Sequence, residues 1–334
     1  MEGAPRGKGR LDPAVARGRR AVAGALDDLA PGTGVLLGVS GGADSLALAA
    51  LTAFVAPRRG LCARALVVDH GLQEGSASVA RDAADVVRQL GLEADVEAVE
   101  VGRSGGQESA ARSARRAALA SSAHRHGCAA VLLAHTRDDQ AETVLLGLAR
   151  GSGARSLAGM APRADPWRRP LLTLTRADTE AVCRASGLTW WDDPHNEDER
   201  YARVRVRHDV LPVVEQALGP GISGALARSA DLLRDDADLL DGLAVHARQE
   251  VSRPDGGLDV AGLAALPRAM RTRVLRAVAI DAGCPAGDLT AAHVADVEGL
   301  VTRWRGQGGP ALPGGVAVIR AAGALEFRRP STCG

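Results

Sequence analysis

Residues 34–54 read GVLLGVSGGADSLALAALTAF, and the break in the middle of this stretch decides the fold. The apolar, β-type run GVLLGV gives way at SGGADS, Ser40 to Ser45, and the pattern resumes as helix. Gly41 and Gly42 let backbone amides converge with no Cβ in the way, and Ser40 and Ser45 add hydroxyl donors. The helix that follows presents the positive end of its dipole. A strand, a glycine turn and a helix in that order form a cradle for an anion. The spacing is neither G-x-x-x-x-G-K-[ST] nor G-x-G-x-x-G, so the two commonest nucleotide loops are excluded. Taken alone, a tight turn capped by Asp44 would give the same letters.

The flanking sequence repeats this alternation. Strand-type runs stand at 34–40 (GVLLGVS), 63–70 (ARALVVDH), 93–101 (EADVEAVEV) and 129–136 (AAVLLAHT). Between them, Asp44 to Val55, Ser76 to Leu90 and Glu108 to His126 carry apolar residues at threes and fours. The predicted architecture is α/β, a doubly wound parallel sheet with right-handed crossovers. Ligands of such sheets gather beyond the carboxyl ends of the strands, where this chain places Ser40, Asp69 with His70, and His135. From about Gly219 the texture becomes helical (Ile222, Leu226, Leu233, Leu240, Leu243), continues through Ala269 to Ala282 and Asp288 to Trp304, and ends in a hairpin-like ALPGGVAVIRAAGALEF. The expected division is a basic lead-in over 1–30, a sheet domain over 31–218 and a second, mainly helical domain over 219–330 that ends in a short hairpin.

With 334 residues the chain exceeds what one core usually organises. Its formal charge of +1 announces no polyanion partner globally, although arginine supplies nearly all the cations and Lys8 is the only lysine. The five cysteines, Cys62, Cys128, Cys183, Cys284 and Cys333, include no C-x-x-C, and no apolar run reaches membrane-span length. A reduced, cytoplasmic protein without a membrane segment is expected. The tract MEGAPRGKGRLDPAVARGRR lacks the apolar core of a signal peptide and reads as a disordered or frayed lead-in.

Three further stretches select among phosphate-binding folds: QESAARSARRAAL (107–119), LAHTRDDQAETVLLGLARGSG (133–153) and WWDDPHNEDERYARVRVRHDVLP (190–212). SGGADS resembles the PP-loop of the ATP pyrophosphatases (adenine nucleotide α-hydrolase-like). The four motifs together resemble the tRNA(Ile)-lysidine synthetase family over about Thr33 to Leu218. Departures from the family pattern are Arg116 for Tyr, Thr136 for a second His, His195 for Ser and Val204 for Asn. The resemblance implies ATP with Mg2+, free L-lysine and a tRNA(Ile) with a CAU anticodon as reactants, with the helical domain holding the tRNA; a homodimer is left open. Base adenylation with loss of pyrophosphate would be followed by displacement of AMP by lysine. Competing readings are a tRNA cytidine 2-thiolase, which would be expected to use paired cysteines, a small-molecule amide-forming ligase, and a nucleotide-binding regulatory module.

The residues themselves narrow the roles. Asp139, Glu142 and Thr143 share a helix face, so two carboxylates would join Asp44 at the phosphate site and hold Mg2+ through Asp44 and Asp139, or orient an ammonium nucleophile. Acids at a helix N-terminus also suit the dipole without any ligand. Asp44, Asp139 and Arg207 are the expected catalytic groups. Ser40, Gly41, Gly42, Ala43, Asp44, Ser45, Asp69 and His135 are expected to hold the nucleotide. The resemblance implies that Arg112, Arg115, Glu142, Asp193, Asn196, Arg203 and Arg205 serve lysine and RNA, Arg112 having as its plainer alternative an i,i+4 pair with Glu108. In YARVRVR a strand would put Arg203, Arg205 and Arg207 on one face and a helix would fan them out. Of Trp190 and Trp191, at least one is expected in the core.

Overall fold

The computed structural model describes residues 11–71, 75–100, 102, 107–151, 153–193, 197–254 and 256–329. They fall into two compact units, Met1–Leu146 with Met160–Arg228, and Gly147–Gly159 with Ser229–Gly334.

In chain order the elements of the first part are α1 (Pro13–Ala25), β1 (Gly34–Val39), α2 (Ala43–Arg58), β2 (Cys62–Asp69), α3 (Ser76–Gln89), β3 (Glu93–Ala98), α4 (Gln107–Arg125), β4 (Cys128–Leu132) and α5 (Arg137–Ala149). After α6 (Ala154–Leu157) come β5 (Arg163–Ala164), β6 (Trp167–Arg168), α7 (Arg176–Ala185), α8 (Ala202–Arg205), a π turn over Val206–Val210, and α9 (Leu211–Leu218). The sheet order is β3-β2-β1-β4-β6-β5, parallel except for the β5–β6 pair. The chain leaves β1 toward β2 and β3, then returns to the other side of β1 as β4. That reversal opens the switch-point crevice beyond the ends of β1 and β4.

The period of two along β1 splits the core. Val35, Leu37 and Val39 join one cluster with Leu46, Leu48, Val55 and Val87, while Leu36 joins Leu66, Leu119, Val131 and Trp167 in the other. Gly38 is required by the close approach of α4, because a Cβ there would sit 3.1 Å from Leu119 Cδ1.

The tract read as a lead-in proves to be structured from Asp12 onward, which corrects that expectation; its first ten residues lie outside the described chain. Asp12 caps α1 by accepting from the Ala14 amide at 2.7 Å, with Pro13 in the first turn. Ala14, Val15, Val22 and Leu26 are buried in the larger core cluster. The stripe Val15, Gly18, Val22, Leu26 has helical spacing, but three arginines among its neighbours, Arg17, Arg19 and Arg20, hide it in composition. Arg168 pins the end of this segment, donating to the Ala25 carbonyl (2.6 Å) and to both Asp28 oxygens (2.5 and 3.0 Å).

The second unit contains most of α10 (Ile222–Val251), then β7 (Leu258–Asp259), α11 (Val260–Ala265), α12 (Arg268–Asp281), α13 (Ala291–Thr302), β8 (Ala311–Leu312), β9 (Val316–Ala321) and β10 (Ala324–Arg328). The expected hairpin is β9–β10, turning at Ala322 (φ 47°) and Gly323 (φ 76°), and it is extended by β8 and β7 into a four-stranded sheet. On α10 Ala244, Ala247 and Val251 enter the core of this unit; of the residues expected on its apolar face, Ile222, Leu226, Leu233 and Leu240 are half-buried and Leu243 is exposed.

Candidate active site

The site starts at the carboxyl end of β1. Gly41 has φ +86°, a conformation that glycine adopts without strain, and a Cβ on it would lie 3.3 Å from Ala83 Cβ. The Ser45 hydroxyl accepts from the Ser40 amide (3.1 Å) and donates to the Gly42 carbonyl (2.9 Å), so the turn is tied internally. Ser40 is exposed at the mouth, Gly42 caps α2, and Ala43 is its first residue. The Trp191 amide donates to the Gly41 carbonyl (3.1 Å), which sets the WWDD segment beside the loop. Trp190 packs on the core and Trp191 lines the pocket, as adjacent extended residues should.

Asp44, in the first turn of α2, accepts from the Thr179 hydroxyl and pairs with Arg176 at 3.5 Å. Burial, the largest influence, raises its pKa, and the charge of Asp139 adds to the rise against Arg176, Thr179 and Arg207. Arg176 and Thr179 went unnoticed in the sequence, where the only local signal is the Thr175–Asp178 capping box that starts α7.

Asp139 and Glu142 share one face of α5, as their spacing required, but each is already engaged. Asp139 Oδ2 accepts from the Thr136 amide (2.7 Å) and hydroxyl (3.0 Å), and Oδ1 lies 3.5 Å from Arg207. Burial pushes Asp139 up most strongly, yet the Thr136 amide, His135, Arg203 and Arg207 together hold its carboxyl below the ordinary value. Thr136, the departure from His, is thus the cap of α5. Glu142 is 0% exposed and meets Arg207 Nε at 2.6 Å and Arg203 Nε at 3.0 Å. The expectation that its carboxylate holds substrate is corrected to this extent: Glu142 holds the two arginines that line the pocket.

The arginines of YARVRVR divide as helical spacing divides them: Arg203 and Arg207, four apart, share a face, and Arg205 lies on another. Arg203 on α8 and Arg207 in the π turn point to α5, and Arg203 also donates to the Thr143 hydroxyl at 2.9 Å. Arg205 points away, is exposed, and donates to the carbonyls of Glu199 (2.6 Å) and Arg200 (3.0 Å), so it is not part of the site. Val204, the departure from Asn, is buried and borders the pocket.

A cavity of about 360 Å³ opens beside the loop. One wall is apolar (Val39, Val67, Val79, Ala80); the other carries Arg112, Arg115, Arg203 and Arg207, with Trp191, Asp193 and Tyr201 at its edge. Asp69 and His70 lie on the lining at the end of β2, and Asp69 also accepts from the Gly71 amide at 2.9 Å. Arg115 makes no ion pair with any described residue, and burial with Arg112 and Arg203 nearby lowers its pKa. His135 sits off the lining, with burial first and Arg169, Arg112 and Arg115 after it pulling its pKa down to about 3, against Asp139. It is therefore a neutral imidazole, with a buried Nδ1 that has no partner. Arg116 stacks on Trp167, 4.2 Å from the ring centroid, and is a packing residue. Asn196 and His195 lie outside the described residues. No cysteine lines the cavity; Cys183 sits behind the loop, donates to the Ala43 carbonyl, and is pushed up to about 12 by burial, so it remains a thiol.

The comparisons with known proteins agree with this geometry. A family described as a PP-loop domain matches residues 18–214, and one described as a TilS substrate binding domain matches 258–326. The chain is 58% identical over 303 residues to a tRNA(Ile)-lysidine synthase of Thermobifida fusca, covering 90% of this chain and 94% of that one. It is 54% identical over 327 residues to that of Salinispora tropica (96% and 98%), and 52% identical over 280 residues to that of Mycobacterium tuberculosis (83% and 83%). Among solved structures, the U34-tRNA thiolase NcsA of Methanococcus maripaludis with its [4Fe-4S] cluster superposes with a TM-score of 0.56 at 19% identity. That match covers 66% of this chain and 80% of that one, a likeness of fold.

Proposed function

We propose a division of labour among this chain's residues, from the premise that the chain belongs to the tRNA(Ile)-lysidine synthase family. Its activity is ATP-dependent lysidine formation on tRNA(Ile). Adenosine lies against Val39, Val67 and Val79, with Asp69 as a polar contact, and the β and γ phosphates sit on the amides of Ser40 to Ser45; His135, expected at the nucleotide, lies off this lining. The C2 oxygen of the wobble cytosine attacks the α-phosphorus and pyrophosphate leaves into the loop. The ε-amine of free lysine then attacks C2, loses a proton, and AMP departs with the former C2 oxygen. Arg203 and Arg207 meet the charge that develops on the α-phosphate, and Glu142 fixes both before substrate arrives, so no reorganisation is needed at that moment. Arg112 and Arg115 take phosphates of the anticodon strand, and Trp191 with Tyr201 takes the splayed base.

Asp44 and Asp139 are near enough that each carboxylate bears on the other, and hard oxygen donors of this kind suit Mg2+. Among the described residues no group of three His, Cys, Asp or Glu side chains converges to hold a metal. The fit is therefore to an ion that takes one or two carboxylates and completes its shell from phosphate and water. Bound there, Mg2+ would neutralise phosphate charge. Asp139 also faces the lysine amine in this reading. No single helix among the described residues is long and apolar enough to cross a membrane.

The observation that carries this assignment is the pair Arg203 and Arg207, clamped by a fully buried carboxylate on the lining of a cavity that abuts the loop. The test is ATP–pyrophosphate exchange by the purified chain. Exchange that requires tRNA(Ile) but not lysine, with lysidine appearing once lysine is added, is the expected result. Exchange with lysine in the absence of tRNA would show that the amino acid, not the base, is activated.

A further inference from the structure

In the second unit, α13 ends at Thr302 and runs into Arg303, Trp304, Arg305, Gly306 and Gln307. Trp304 is 43% exposed, and no other large apolar side chain is exposed between Val245 and the last described residue. Two contacts hold it in place. The Arg320 guanidinium, from β9, stacks on the indole 4.4 Å from its centroid, and Arg320 is itself anchored on the carbonyls of Leu300 and Val301 at the end of α13. The indole Nε1 donates to the Gln307 carbonyl at 3.2 Å. The Gln307 side chain in turn accepts from the Arg305 amide (2.5 Å) and donates to the Arg303 carbonyl (3.4 Å), which closes the loop on itself. Two contacts fix the ring, and the loop that supplies one of them is itself tied; fixing it removes the entropy that a ligand would otherwise have to pay.

The charges around it are equally specific. The guanidiniums of Arg303 and Arg305 line the adjoining groove and form no ion pair with any described residue. Asp296 is the one carboxylate on that groove, so the local balance is positive. Elsewhere in this unit Arg268 and Arg271 pair with Glu298, Arg273 with Asp241 and Arg248 with Asp281, while Arg276 and Arg329 donate to backbone carbonyls. A protein partner of ordinary size would want further apolar surface, and among the described residues after Val245 no other large apolar side chain is exposed. One flat ring between unpaired cations matches a single nucleotide, whose base stacks and whose flanking phosphates carry the negative charge.

We propose that Trp304, backed by Arg320, is a base-stacking platform for an unpaired nucleotide of the tRNA, with Arg303 and Arg305 on the neighbouring phosphates. The inference rests on tRNA being the substrate and adds to it the place and the kind of contact, a stacked single-stranded base rather than duplex backbone. Trp304 takes no part in the chemistry, so its effect falls on tRNA binding.

The experiment measures binding of a tRNA(Ile) transcript with a CAU anticodon to the full chain, its Trp304→Ala and Trp304→Phe variants, and an Arg303→Ala, Arg305→Ala double variant, across a range of salt. Trp304→Ala is expected to weaken binding roughly ten- to hundredfold, as loss of one stacked base does, while Trp304→Phe stays within about threefold of the parent. The double variant is expected to flatten the log–log salt slope by about 1.4 to 1.8, the share of two phosphates. Unchanged affinity in Trp304→Ala overturns the subsite, and so does an equal loss in Trp304→Ala and Trp304→Phe. A change in sedimentation of Trp304→Ala with unchanged tRNA affinity would also overturn it, identifying a self-association face instead. Failure of the parent chain to bind the transcript would instead overturn the tRNA reading itself.

Discussion

Replacing Asp139 by Asn separates the two jobs that the structure gives one carboxylate. Oδ2 caps α5 through the Thr136 amide and hydroxyl at 2.7 and 3.0 Å, and Oδ1 faces Arg207 at 3.5 Å. Asn keeps an oxygen for the first job and loses the charge for the second. Stability should fall by about 1 kcal/mol or less for Asp139→Asn, and by roughly 1 to 2 kcal/mol for Asp139→Ala, where the cap itself goes. In a unit of this size that is a melting shift of about 2–4 °C per kcal/mol. Because the carboxyl is held below its ordinary value, its stabilisation is present above the unfolded pKa and lost as the solution is acidified, so the parent and Asp139→Asn should converge at low pH. Catalysis should behave differently, since a charge aimed at the reacting centre contributes only when it is a charge. Both variants should lose about 10²–10³ in single-turnover rate, with Asn no better than Ala. The assay follows adenylated tRNA and lysidine separately after rapid mixing. Parental rates for both steps in a folded Asp139→Asn protein would refute the reasoning and leave Asp139 as a helix cap.

Two other outcomes follow from single observations. Gly41→Ala forces an alanine to φ +86° with its Cβ 3.3 Å from Ala83, and is expected to cost roughly 1–2 kcal/mol by thermal melting while lowering pyrophosphate release far more, because the loop amides shift. Asp28 is lowered to about 2, chiefly by its hydrogen bonds from Arg168, so its contribution is full above the unfolded value near 3.8 and disappears as pH falls through about 2. The gap in melting temperature between the parent and Arg168→Met should therefore narrow on acidification over that window, and a gap that stays constant would mean that the Ala25 carbonyl, not Asp28, is what Arg168 holds.

The parts of the fold legible in sequence are those in which one local pattern repeats. Strands β1 to β4 and the helices between them are long enough to show period two or three-to-four, and the glycine turn after β1 marks the crevice. Strands β5 and β6 are two residues each and show no period at all. They exist because the backbone of β4 accepts a neighbour there: the Val131 amide donates to the Pro166 carbonyl at 2.7 Å. Helix α1 had the stripe but not the composition, and in the second unit the β9–β10 hairpin was legible from its turn while β7, which joins β10 from far earlier in the sequence, was not.

The site shows the same limit at finer grain. Ser40 to Ser45 could be placed because the chemistry of an anion cradle is local: glycine conformation, amide direction and helix dipole all come from adjacent residues. Arg203, Arg205 and Arg207 could not be told apart, because what distinguishes them is Glu142, which is 65 positions from Arg207. A carboxylate with no exposure must be paired or neutral. Burying Val204, Val206 and Leu211 against the surrounding apolar side chains fixes which face of this segment is inward. Arg203 and Arg207, four residues apart across α8 and the π turn that begins at Val206, then reach the same carboxylate, and Arg205 is left to the solvent side. Two guanidiniums are held at the cavity by one acid that no substrate needs to touch. A local change in the turn, with every charged residue intact, should therefore disarm the site as surely as removal of an arginine.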